Sequence, residues 1–136
     1  MLKEIEFDVE GYPPAKGEAL SMLGARHSHA PRVLALLEAA MVATESSGLA
    51  HLGAVPLGME FVVSCRRDHL RSDATNYLGG VADVLEDKAH RGELEHLGSL
   101  AKVGLFNNDR QLEEVRYRWE SADQPSYRVR LWALVH

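Results

Sequence analysis

Met59-Glu-Phe-Val-Val-Ser-Cys65 is apolar enough to be a central strand, and it runs directly into a helix-forming segment. That passage from strand through a short loop to helix commits the chain to a layered fold of sheet and helices. The connecting loop is basic, with Arg66, Arg67 and Arg71. Asp73 then stands where a helix N-cap belongs, because Tyr77, Leu78, Val81, Val84 and Leu85 recur after it at helical spacing. The other face of this helix, from about Ala74 to Asp87, carries Asn76, Gly79, Gly80, Asp83 and Asp87. Two adjacent glycines inside a helix cost about 1 kcal/mol each relative to alanine. Another backbone, a ligand or simply a weak helix accounts for them. A strand, a basic loop and an acidic residue at a helix start suggest a site that handles phosphates and a cation.

The flanking segments extend the same layering. Ile5, Phe7 and Val9 alternate with Glu4, Glu6, Asp8 and Glu10, the period of a half-buried strand with one acidic face. Gly11 and Pro13-Pro14 end it. The stretch from Ala15 to Arg26 has no clear period and reads as a loop, with room for a short strand near Leu20 to Leu23. Ser28 can cap a helix whose first turn holds Pro31 and whose apolar stripe is Val33, Leu34, Leu37, Ala40 and Met41. His27 and His29 flank that cap and read as two surface histidines in a loop, with a metal role for the pair as the alternative; the remaining histidines show no ligand spacing. A second short helix is expected around Leu94, Leu97, Leu100 and Ala101, weakened by Gly92 and Gly98. Val115, Tyr117 and Trp119 alternate with Arg116, Arg118 and Glu120, and after a turn Tyr127, Val129, Leu131, Ala133 and Val135 alternate again, as in a C-terminal β-hairpin. The expected fold is α+β, with a mixed sheet of about four or five strands and the helices packed on it.

A chain of 136 residues is normally one domain, here 1–136, large enough to bury its own core. At 46% hydrophobic and 26% charged residues it is an ordinary globular sequence and not a disordered one. No apolar run is long enough to span a bilayer, and the first residues alternate like a strand and lack the apolar core of a signal peptide. Its single cysteine, Cys65, reads as a small core residue in a reduced, cytoplasmic protein. The net charge of −5 argues against a surface that is basic throughout. Positive charge is instead local, at Arg66, Arg67 and Arg71 and again at Arg116, Arg118, Arg128 and Arg130.

From Met59 to Leu112 the sequence resembles the RusA family of Holliday junction resolvases. Two stretches carry the resemblance, Arg71-Ser72-Asp73-Ala74-Thr75-Asn76 with Asp83 further along the helix, and Gly104-Leu105-Phe106-Asn107-Asn108-Asp109-Arg110-Gln111. The resemblance implies a Mg²⁺-dependent endodeoxyribonuclease, Mn²⁺ being an alternative ion, that acts as a homodimer on branched DNA such as a four-way junction in recombination and repair. It implies Asp73, Asp109 and Asn76 as the catalytic group and Asp73, Asp109 and Asp83 as metal ligands. Arg66, Arg67 and Arg71 would grip the DNA backbone. Such a metal would activate water and stabilise charge on the leaving oxygen. Three departures are visible: Thr75 stands where the family has a second metal aspartate, Gly79 where it has a lysine, and the link from Asp83 to Gly104 is long. These departures open an alternative: a relative that has lost cleavage and binds nucleic acid or a protein partner. Taken singly, Asp73 is an N-cap and Asp109 a turn residue.

Overall fold

The strand at the amino end, β1 (Glu4–Glu10), buries Ile5, Phe7 and Val9 and exposes Glu4, Glu6, Asp8 and Glu10, as its alternation requires. The computed structural model of the chain describes residues 3–16, 30–87 and 95–134. The expected cap at Ser28, the histidines His27 and His29, the strand near Leu20 to Leu23, and Gly92, Leu94 and Val135 lie outside the described residues. Helix α1 (Ala30–Ser47) buries Val33, Leu36, Leu37 and Ala40. Strand β2 (Leu57–Cys65) follows, then helix α2 (Ala74–Leu85), β3 (Leu112–Ser121) and β4 (Ser126–Ala133).

The four strands form one mixed sheet in the order β1-β4-β2-β3. β4 is antiparallel to both β1 and β2, whereas β2 and β3 are parallel. This is the α+β architecture that the sequence predicts. The C-terminal strands form a split hairpin: they are joined by the short link 122–125 and run in opposite directions, but β2 is inserted between them. Phe61 pairs with Tyr117 on one side and with Val129 on the other. The insertion has a physical cause. Leu57, Met59, Phe61, Val63 and Cys65 are all buried, so β2 excludes water best in the sheet interior.

One sheet face and the two helices enclose the core, which includes Phe7, Leu36, Phe61, Tyr77, Phe106 and Val129. The other face is polar and its charges alternate across the strands. Glu6, Arg130, Glu60 and Arg116 form one cross-strand row, and Asp8, Arg128, Val62 and Arg118 the next. Opposite charges placed directly across a sheet stabilise the pairing. Arg128 donates to Asp8 at 2.9 Å, and Arg130 pairs with Glu4.

The paired glycines of α2 are explained by backbone approach. A Cβ on Gly80 would collide with the Pro14 carbonyl, and one on Gly79 would lie 3.1 Å from the Lys16 Cδ. The segment that leaves β1 therefore crosses α2 directly, held by a bond from the Lys16 N–H to the Asn76 carbonyl at 3.0 Å. The helix expected near Leu94 to Ala101 is instead a pair of 3-10 turns within Glu95–Lys102, kinked at Gly98 with φ 57°. Leu97 and Leu100 still reach the core.

Candidate nucleic-acid interface

Asp73 is the N-cap of α2. Its Oδ1 accepts from the Asn76 backbone N–H at 2.9 Å and from the Thr75 hydroxyl at 3.0 Å. Thr75 thus completes the cap, and the two residues act together to satisfy the helix start. Asn76 adds a second contact through its carbonyl, which holds Lys16.

The second half of the motif lies at the other end of the helix. The Asp109 N–H donates to the Glu86 carboxylate at 3.3 Å, and Glu86 is the residue that ends α2. Twelve helical residues separate the two ends by about 18 Å, at 1.5 Å per residue. The parallel register agrees: Leu112, just after Asp109, pairs with Leu57 at the start of β2, whereas Asp73 follows the end of β2. A single chain therefore does not bring Asp73 and Asp109 together. Asp83 is half-buried in the last turns of α2, on the Asp109 side. Among the described residues no three His, Cys, Asp or Glu side chains are grouped to hold a metal ion. One chain thus does not fit a Mg²⁺ ion shared by Asp73 and Asp109.

The Asp109 end is organised as a structural clasp. Gln111 Oε1 accepts from the N–H groups of Asn107 and Asn108, while its Nε2 donates to the carbonyls of Gly53 and Val55. His51 engages both ring nitrogens, Nδ1 accepting from the Gly53 N–H at 2.8 Å and Nε2 lying 3.0 Å from Asp87. Gly104 makes room for this arrangement, since a Cβ there would stand 2.6 Å from Asp87 Oδ1.

Arginines and aromatic rings interleave at the Asp73 end. Arg67 lies over the Trp119 ring, with its guanidinium carbon 3.9 Å from the centroid. Arg32 and Arg71 approach the Tyr12 ring at 5.5 and 6.0 Å. These distances are those of cation–π contacts. Arg66 is turned to Asp68 at 3.4 Å, an exposed pair that holds it only weakly. Among the described residues no carboxylate pairs with Arg67 or Arg71. Beneath the loop, burial pushes the Tyr77 hydroxyl pKa up, partly offset by the bond from the Arg71 N–H to that hydroxyl. Burial also raises the pKa of Tyr117, with the Arg67 charge acting in the opposite direction.

The three arginines predicted to grip a backbone therefore share one exposed loop. Tyr12, Arg32 and Trp119 join them without having been singled out by the sequence. Trp119 arrives through the parallel register, in which Val63 pairs with Trp119 and Cys65 with Ser121. Local alternation in β3 could not disclose that register. Gly11-Tyr12-Pro13-Pro14 carries a turn signal but nothing that points towards Arg71.

No protein-family model matches the chain, and no curated protein matches it.

Proposed function

We propose that the chain is a nucleic-acid-binding protein, a RusA-like relative that grips the phosphate backbone of branched DNA and does not cut it with a site built from one chain. The observation that carries this is the arginine–aromatic surface at the end of β2, where Arg67 and Arg71 are exposed without carboxylate partners among the described residues. Guanidinium groups suit phosphate because they present a fork of donors, and planar rings beside them suit the faces of unpaired bases. The use of Asp73 and Thr75 in a helix cap, with Asp109 bonded to Glu86 at the opposite end of a helix about 18 Å long, favours binding over cleavage. A homodimer would present two such surfaces to a symmetric junction.

The expected affinity is modest and strongly dependent on salt, because a few arginines act against a net charge of −5. Binding to a labelled four-way junction should lose about one unit of log–log salt slope when Arg67 or Arg71 becomes alanine. Unchanged slopes for both substitutions would place the nucleic acid elsewhere. The same junction, incubated with Mg²⁺ or Mn²⁺ and either the natural protein or Thr75→Asp, should remain uncut. Cleavage by the natural protein would restore the nuclease function that the resemblance implies. Cleavage only after Thr75→Asp would show that the scaffold brings Asp73 and Asp109 into one site after all.

A further inference from the structure

β1 is an edge strand: it bonds to β4 on one side, and no described strand pairs with its other side. α1 lies alongside that open edge, and between them runs a groove of about 870 Å³. Its wall on α1 is made of Ala35, Ala39, Val42 and Ala43, and Val42 is 57% exposed. The wall on β1 carries Glu4, Glu6, Asp8 and Glu10, and Glu38 adds a further carboxylate from the helix.

We propose that this groove takes an extended peptide segment of a partner protein as a fifth strand, one in which basic residues alternate with small apolar ones. Three observations select that chemistry. An open strand edge offers a row of backbone donors and acceptors that only another extended backbone satisfies along its length. Alternate side chains of such a strand would point to opposite faces, one set onto Val42 and the alanines of α1, the other beside the acidic row. The molecule also contains a working example of what that row accepts. On its bonded side, β4 presents Arg128 and Arg130 to it, and Asp8, Glu6 and Glu4 pair with them. Glu10 and Glu38 have no ion pair among the described residues and are available to a basic partner. This surface is separate from the arginine loop, so the assignment does not depend on nucleic-acid binding.

A labelled peptide of alternating arginine and valine, matched to the seven residues of β1, is the probe. Fluorescence anisotropy should show saturable binding to the full chain. Methylating the peptide's amide nitrogens along one edge, or replacing exposed Val42 with arginine, should each weaken that binding by about tenfold. Circular dichroism of Val42→Arg confirms that the variant is folded. Equal binding by a peptide with its arginines and valines in two blocks would reduce the effect to net charge and overturn the proposal. So would indifference to both the methylation and Val42→Arg. Light scattering that shows two copies of the chain associating through this edge, in competition with the peptide, would also overturn it.

Discussion

Gly79 and Gly80 are neighbours in one helix, yet their surroundings predict opposite responses to the same substitution. Gly79→Ala places a methyl against the exposed, flexible Lys16 side chain, which can shift. The helix then gains up to about 1 kcal/mol from reduced backbone freedom. Gly80→Ala places its methyl against the Pro14 carbonyl, which is backbone and cannot yield without moving the crossing segment. A net loss of about 2 kcal/mol is expected. Thermal melts of the two variants should therefore move in opposite directions. Tyr127 offers a second test. Its hydroxyl is buried with no hydrogen-bond partner among the described residues. Tyr127→Phe removes that cost and should leave stability unchanged or raise it by about 1 kcal/mol. Burial raises the pKa of Tyr77, Tyr117 and Tyr127 above 10.0, so all three resist ionisation in the folded chain more than in the unfolded one. The stability tied to them is fully present below pH 10.0 and is lost as pH rises through the folded-state values. Denaturation followed from pH 8 to about 11 should show that decline, with a shallower slope in Tyr127→Phe.

The two ends of α2 have different tasks, and Gln111 shows how the far end is held. Its four hydrogen bonds tie the loop at Gly53 and Val55 to the turn that begins at Asn107. Gln111→Ala should lower stability by about 2 kcal/mol, since partly exposed bonds are each worth around 1 kcal/mol or less. Gln111→Glu keeps the acceptor but loses the donor and sets a carboxylate against two carbonyls, so it should be no milder. Amide exchange in residues 107–111 would register both changes, with Arg67 and its loop unaffected. The elements themselves were legible in the sequence wherever their period was long and unbroken: β1, β2, α1, α2 and the two C-terminal strands. Pairing was not legible. Val115, Tyr117 and Trp119 alternate as any strand might, and nothing local says that their neighbour is β2 and not β4. That single non-local choice brings Trp119 to Arg67. Asp73 was legible as a cap, and Asp109 as part of a turn. Their separation follows only from the length of α2 and the direction of β3.

Across the whole molecule, charge is segregated: an acidic edge at β1, an arginine loop beyond the end of β2, and alternating rows on the open sheet face between them. An anionic polymer is repelled by the first and drawn to the second, which would orient its approach. Among the described residues no helix is long and apolar enough to cross a membrane. Cohesion of the sheet rests on β4, which among the described strands is the one that joins β1 to the rest. A chain truncated before Ser126 should show no cooperative thermal transition, because β1 would lose its hydrogen-bonded neighbour and β2 one of its two. The split hairpin also sets an order in time. Of the four described strands, synthesis delivers β1 first and β4 last, so β1 must wait for β4 before it gains its hydrogen-bonded neighbour. Until β4 has been made, β1 lacks that neighbour, and its four carboxylates favour its solvation in the meantime.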